Sequence, residues 1–185
     1  MIVDMLDFYS TANAEDKAKL DLLFVLFDKK YKKLLEEHSY NVAGVVCNEN
    51  VEGFNTIISD NPKETFWKMH NSMEEENIPT KIGKNCTISD SAYISPYNVE
   101  IGDNCFIGEN TVIGGDGFQV FQDNGKNKLV KHFGKIKIGN DCVIQNNCCI
   151  DRGLFKHVTT TLKDNVMLDN LVHIGHNATL ENNVM

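Results

Sequence analysis

The sequence lacks several features that would narrow its function at once. No stretch approaches the ~20 consecutive apolar residues of a membrane-spanning helix. The N-terminus carries two aspartates and no basic region of the kind that begins a signal peptide. The six cysteines include no CxxC pair, which argues against a zinc ribbon. We therefore predict a cytoplasmic protein with reduced thiols and no stable membrane insertion.

Positive charge is also scarce. The 26 Asp and Glu residues outnumber the 18 Lys and Arg residues, the net charge is -8, and Arg152 is the one arginine. Contacts to nucleic-acid phosphates need clustered basic side chains, so this composition argues against a nucleic-acid partner. The 42% of hydrophobic residues in a chain of 185 is ordinary for a folded globular protein.

Residues 1–79 are predicted to form a small α/β domain. Residues 21–28 and 40–47 are short apolar runs typical of strands, and residues 28–38 between them have apolar side chains at helical spacing. An Asn-Pro pair begins a second predicted helix, over residues 61–77, because proline suits the first helical position.

From residue 80 onward a six-residue repeat dominates the sequence. Each unit begins with Ile or Leu and has a small residue at its fifth position, with Gly, Asn or Asp between. Three units close one triangular turn of a parallel β-helix, and Gly, Asn and Asp tolerate the positive φ of its corners. The repeat predicts a mainly β fold, a left-handed parallel β-helix over residues 80–185. The units are 82–87, 88–93, 94–100, 101–106, 107–112, 113–118, 138–143, 144–149, 150–153, 162–167, 168–173, 174–179 and 180–185.

Four cysteines occupy the small fifth position of this repeat. A thiol that points into the coil there acts as a compact hydrophobic side chain, so we predict a structural role for these four. They are Cys86, Cys105, Cys142 and Cys148.

Residues 114–135 interrupt the repeats, and such insertions are often functional. Around them stand, in order, VIGGDGF, HFGKIKIG, IQNNCCIDRG and LDNLVHIGHN. In these segments the sequence resembles the UDP-3-O-(3-hydroxyacyl)glucosamine N-acyltransferases of lipid A biosynthesis, whose motifs are G-x-D-G-F, T-I-D-R-G and D-N-L-V-x-I-A-H-N. The resemblance covers roughly residues 11–185 and implies a uridine-binding N-terminal domain. It also implies a homotrimer that transfers an acyl group from acyl carrier protein to the 2-amine of a UDP-3-O-acylglucosamine.

The resemblance also implies roles for single residues. His176 matches the catalytic histidine, and an imidazole can take a proton from the attacking sugar amine near neutral pH. Gly175 stands where the family has alanine, and His173 where it commonly has glutamine. Tyr31 matches a tyrosine that stacks on uracil. The predicted substrate-binding residues are Tyr31, Asp28, Phe24, His173, Asn170 and Arg152.

Other interpretations of these residues stay open. Arg152 suits either a carboxylate bridge that fixes the end of its coil or a contact to a substrate phosphate. His176 and His173 would make an incomplete zinc site, with His132 or His157 as a third ligand, but we predict no metal. No tightly bound cofactor is expected either, since the phosphopantetheine-linked donor, on acyl carrier protein or CoA, is a co-substrate.

Three rival functions also remain. A CoA-dependent nucleotide-sugar acetyltransferase for surface polysaccharide usually begins with a Gly-rich nucleotide-binding turn, which this sequence lacks. A non-catalytic β-helix is favoured by the end of the sequence at Met185, nine residues after His176. The resemblance implies a further coil and C-terminal helices beyond that point, so the chain is expected to be truncated. A γ-class carbonic anhydrase is the third rival.

Overall fold

The computed structural model describes the backbone of residues 22–25 and the whole of residues 42–185, apart from the side chains of the first two positions of that range. The described residues fall into two compact units. One comprises the residues up to Met73 together with Phe121–Lys128, and the other comprises Glu74–Val120 and Leu129–Met185. The predicted helix over residues 28–38 lies outside the described residues.

A three-stranded parallel sheet forms the centre of the first unit. Its strands are β1 (Leu22–Val25), β2 (Val42–Cys47) and β3 (Thr56–Ile58), in that order across the sheet. The central strand β2 is apolar, and its residues Val45 and Val46 are fully buried. A parallel sheet needs cover on its faces, and a helix that contacts β2 supplies part of it.

This helix, α1 (Pro62–Asn71), begins where the sequence predicts and ends earlier. The side chain of Asn61 caps it by accepting a hydrogen bond from the Glu64 N–H at 3.3 Å, and Trp67 on its inner face is fully buried. The prediction of a helix to residue 77 is wrong. The three glutamates at 74–76 would sit at the carboxyl end of the helix, where its dipole disfavours negative charge.

The second unit is a parallel β-helix in which each coil gives one short strand to each of three sheets. All strand pairings between coils are parallel. The strands of the coil are β4 (Lys81–Ile82), β5 (Thr87–Ile88), β6 (Tyr93–Ile94), β7 (Val99–Ile101), β8 (Phe106–Ile107), β9 (Val112–Gly115), β12 (Lys135–Ile138), β13 (Val143–Ile144), β14 (Cys149–Asp151), β15 (Thr159–Leu162), β16 (Met167–Leu168), β17 (His173–Ile174) and β18 (Thr179–Leu180). They form the sheets β4-β7-β12-β15-β18, β5-β8-β13-β16 and β6-β9-β14-β17.

In the central coils the first residue of each repeat unit fills the core. Because successive side chains of a strand point to opposite faces, the aliphatic residue points inward while its neighbour faces solvent. The buried set consists of Ile101, Ile107, Ile113, Ile138, Ile144, Ile150, Leu162, Leu168 and Ile174.

The inward position of the repeat cysteines is confirmed. Each thiol donates a hydrogen bond to a backbone carbonyl of the next coil at 3.1 to 3.2 Å. The pairs are Cys86 with Gly102, Cys105 with Gly139, Cys142 with Lys163, and Cys148 with Asp169. Burial raises the pKa of the Cys105 thiol to about 12, which keeps it protonated and unreactive.

The corners of the coil explain the Asn and Asp residues of the repeat. Fourth-position residues adopt positive φ, which these residues tolerate, and Leu171 at +64° is the one leucine among them. Third-position side chains accept a hydrogen bond from a backbone N–H of the preceding coil, and these bonds between coils form a corner ladder. These acceptors are Asp103, Asn140, Asp164, Asn182, Asn146 and Asn170.

The interruption between β9 and β12 contains a two-stranded hairpin formed by β10 (Val120–Asp123) and β11 (Lys126–Leu129). Its turn residues Asn124 and Gly125 have φ of +49° and +74°. Two positive φ values in a two-residue turn are typical of the type I′ turn that Asn-Gly favours. The insertion therefore leaves the coil after β9 and returns at the start of β12.

Candidate active site

His176 occupies a third position of the repeat but takes no part in the hydrogen-bond ladder between coils. The next residue, Asn177, supplies that bond, since its side-chain oxygen accepts from the Leu154 N–H at 2.9 Å. The imidazole of His176 instead lies against the ring of His132, with ring centroids 5.0 Å apart at an angle of 67°. The Nδ1 atom of His176 is buried and has no hydrogen-bond partner among the described residues.

Gly117 of the insertion packs directly on both rings. A Cβ atom at this position would lie 2.6 Å from His176 Cδ2 and 2.9 Å from His132 Nε2. Both distances are far shorter than a van der Waals contact, so only glycine allows the insertion to approach the two histidines so closely. This contact gives the last glycine of the GGDGF segment a steric role.

His132 is fully buried and is held by its backbone neighbour Val130, whose carbonyl oxygen lies 3.1 Å from its Nδ1. Burial lowers the pKa of His132, and the nearby carboxylate of Asp116 offsets this only in part. The ring is therefore neutral near neutral pH. Its Nε2 atom has no hydrogen-bond partner in the described part of the chain.

Arg152 fixes the start of the insertion to the coil. Its Nε donates to Asp116 Oδ1 at 2.7 Å, and its Nη1 donates to Glu75. The side chain is 15% exposed, and two carboxylates flank its guanidinium. Of the two interpretations of Arg152, a carboxylate bridge or a contact to a substrate phosphate, this geometry matches the carboxylate bridge. The predicted substrate contact of Arg152 stays a prediction.

His173 lies beside a groove of about 410 Å³ on the outer face of the sheet β6-β9-β14-β17. Its Nε2 is 2.8 Å from Asp151 Oδ2. The residues that line the groove are Asp116, Gly117, Phe118, Leu129, Val130, Asn147, Cys149, Asp151, Leu171, Val172 and His173. Gly117 lines this groove and also packs on the His176 ring, so this one residue connects the groove with that imidazole.

The remaining predicted site residues are Asn170, Tyr31, Asp28 and Phe24. Asn170 belongs to the corner ladder, where its side-chain oxygen accepts from the Asn146 N–H at 3.1 Å. Tyr31 and Asp28 lie outside the described residues, and the backbone of Phe24 belongs to β1. Their predicted roles in substrate binding stay predictions.

The three side chains that a zinc site would need are not brought together in the described residues. Within residues 42–185, no group of three or more His, Cys, Asp and Glu side chains is placed to hold a metal ion. The alternative ligand His157 stacks on Phe155 with ring centroids 5.9 Å apart. No helix in the described part of the chain is long and apolar enough to cross a membrane.

Two family models match the β-helix. Residues 79–115 match the bacterial transferase hexapeptide (six repeats), and residues 136–152 match the hexapeptide repeat of succinyl-transferase. A UDP-3-O-acylglucosamine N-acyltransferase of Maricaulis maris is 40% identical over 95 residues, which are 51% of this chain and 27% of the relative. The enzyme of that name from Acinetobacter baumannii is 44% identical over 77 residues, or 42% of this chain and 21% of the relative.

A probable UDP-3-O-acylglucosamine N-acyltransferase 2, mitochondrial, of Arabidopsis thaliana is 42% identical over 85 residues, or 45% of this chain and 27% of the relative. Over its β-helix the chain is similar to hexapeptide-repeat transferases and to these acyltransferases. Hexapeptide repeats imply a left-handed coil. The chain spans about a quarter of the length of the curated relatives that it matches.

Sequence reasoning missed two residues that shape the site, Gly117 and the position of His132 against His176. The insertion has no repeat period, so its residues could not be placed relative to the coil. The GGDGF segment itself was the available signal. A glycine that ends a turn next to a catalytic motif often marks a close approach of two chain segments.

Proposed function

We propose that the chain is an N-acyltransferase that moves a (3-hydroxy)acyl group from a phosphopantetheine thioester to the 2-amine of a UDP-3-O-acylglucosamine. The observation that carries this proposal is the packing of His176 against Gly117, a residue of the groove wall. A thioester and an amine held in the groove would react next to this imidazole. The similarity to these relatives and their printed names support the same acceptor.

His176 is the general base of the proposed reaction. As the amine attacks the thioester carbonyl, it gains positive charge and must lose a proton, which a histidine ring accepts well near neutral pH. The edge-to-face contact with His132 and the contact with Gly117 hold the ring in one orientation. A fixed base avoids the entropic cost of arranging it during each turnover.

The donor, the assembly and the uridine site belong to the same proposal. We propose acyl carrier protein as the donor, with CoA as the alternative carrier of the same phosphopantetheine thioester. A homotrimer in the cytoplasm and uridine contacts through Tyr31, Asp28 and Phe24 complete it. Asn170, His173 and Arg152 are the further substrate-binding candidates.

The test is an acyl-transfer assay with carrier-protein and CoA donors and UDP-3-O-acylglucosamine as the acceptor. His176→Ala should lower kcat by ~10²–10⁴-fold, the usual contribution of a general base. Asn182→Ala is the matched control, because Asn182 is a third-position corner residue that only accepts a bond from the Asp164 N–H. Equal kcat for the native protein and His176→Ala would refute the role of this histidine.

A further inference from the structure

A second set of reactive side chains lies on the outer face of the sheet β6-β9-β14-β17. Cys149 and His173 are register partners in the parallel pairing of β14 with β17. The next residues of the two strands, Ile150 and Ile174, are buried in the core. Because side chains alternate across a strand, Cys149 and His173 both point outward. Their backbones are therefore one strand spacing apart, ~4.8 Å, and the two side chains are direct neighbours on the outer face of the sheet.

Asp151 orients this imidazole. It lies two residues beyond Cys149 on the same face of β14, and its Oδ2 is 2.8 Å from His173 Nε2. The Asp151 side chain is largely buried, whereas the His173 side chain is 60% exposed, so the carboxylate holds the ring from its buried side. A carboxylate only accepts hydrogen bonds, so Nε2 carries the proton and Nδ1 keeps a free lone pair. A base oriented by a carboxylate next to a thiol is the usual arrangement of an activated cysteine nucleophile.

Two departures from the family motifs meet at this point. Cys149 stands where T-I-D-R-G has threonine, and His173 stands where the later motif commonly has glutamine. The two substitutions are register partners on adjacent strands. Cys149 is also the one cysteine with an exposed side chain among the described residues. Both residues line the groove together with Asp151.

We propose that Cys149, His173 and Asp151 form a nucleophilic thiol site that accepts the acyl group from the thioester before the amine does. The Cys149 sulfur attacks the thioester carbonyl carbon while its proton passes to His173 Nδ1. The bond from that carbon to the pantetheine sulfur then breaks, and the departing sulfur takes the proton from His173. The products are an acyl thioester on Cys149 and free pantetheine thiol.

This inference rests on the proposed function only for the thioester donor. The amine then attacks the carbonyl carbon of acylated Cys149, the amide bond forms, and the bond from that carbon to the Cys149 sulfur breaks. His176 takes the amine proton and gives it to solvent, and the Cys149 sulfur recovers a proton from solvent. The first step needs no acceptor sugar, so it can be measured by itself. The apolar side chains of Phe118, Leu129 and Leu171 line the same groove and offer a surface for the acyl chain.

The experiment uses the full chain with 3-hydroxyoctanoyl-pantetheine as the probe and no acceptor present. Intact-mass spectrometry and peptide mapping should find one acyl adduct on Cys149 that hydroxylamine removes. Cys149→Ala should give no adduct. His173→Gln, which keeps a polar side chain of similar size, should slow acylation at least tenfold, because general-base help is worth ~10²–10⁴-fold. Cys86→Ala, which removes an inward-pointing cysteine of the coil, should keep the native rate.

Three outcomes would overturn the proposal. One is acylation of the native protein on a cysteine other than Cys149. Another is an unchanged rate in His173→Gln, which would leave the imidazole without a role. The third is amide formation with acceptor present in Cys149→Ala at the native rate, which would refute the relay and leave the proposed function standing. Circular dichroism of each variant shows that the coil is folded.

Discussion

The contact between Gly117 and the two histidines can be tested by adding a single methyl group. In Gly117→Ala the new Cβ would lie 2.6 Å from His176 Cδ2, 2.9 Å from His132 Nε2 and 3.1 Å from His176 Cβ. The backbone of Gly117 does not have positive φ, so the perturbation is steric alone. To reach an ordinary contact of about 3.6 Å, the His176 ring or the insertion must move by roughly 1 Å. Overpacking of this kind costs ~1–3 kcal/mol of stability.

Activity should suffer more than stability. A displacement of ~1 Å at a reacting group can cost ~10²-fold in rate, so we expect kcat for acyl transfer to fall by about that factor in Gly117→Ala. Gly175→Ala is the matched control. This residue is adjacent to His176 in sequence, yet a Cβ at Gly175 meets no atom within 4 Å. The control should keep its kcat and gain ~0.4–1 kcal/mol of stability, because alanine restricts the unfolded chain.

The assay compares kcat of both variants with that of the native protein, together with their urea unfolding curves. Native kcat in Gly117→Ala would refute the idea that this glycine positions His176. Equal losses in both variants would mean that any added methyl group near the motif disturbs activity. A loss of kcat with unchanged unfolding is the result that most directly supports a positioning role.

Three further predictions concern stability. Burial lowers the pKa of His132 from 6.5, so just below that pH the unfolded chain binds a proton at this ring and the folded chain does not. Stability should thus decrease as pH falls through 6.5, and His132→Gln should flatten this slope in urea unfolding at pH 5.5 to 8. Cys142→Ala should cost about 1 kcal/mol or more, and Cys86→Ala less, because Cys142 is fully buried and Cys86 is not. Leu171→Asn should stabilise by ~1 kcal/mol, because asparagine tolerates a φ of +64° better than leucine, and Asn165→Leu should have the opposite effect.

The coil was predictable because its period is short and each position has one physical task. An aliphatic residue every six positions and a small residue near each corner give the inward cysteines and the three sheets. The length of α1 was not predictable from apolar spacing, because three glutamates after Asn71 end it through charge. The uridine contacts of Tyr31 and Asp28 rest on the resemblance of motifs alone, and both residues lie outside the described residues.

The candidate site also has features that were predictable from the sequence and features that were not. His176 was predictable, because its motif lies within the repeat and fixes it at a third position. Its contact with His132 was not, since His132 lies in an insertion that has no period. Cys149 and His173 are 24 positions apart, six more than one coil of three units requires. They become partners only because residues 153–158 loop out between β14 and β15, which the repeat pattern does not reveal.

The corner ladder explains how a structural repeat can contain reactive side chains without loss of the fold. Each third-position residue normally serves the coil, because its side-chain oxygen accepts a backbone N–H that would otherwise lack a partner. At this corner the neighbouring Asn177 makes that bond, so the His176 side chain does not need to accept a backbone N–H. An imidazole can then occupy a corner of the coil at little cost. If this argument is correct, Asn177→Ala should destabilise the coil by ~1 kcal/mol or more and also lower kcat, whereas His176→Ala should lower kcat with little effect on unfolding.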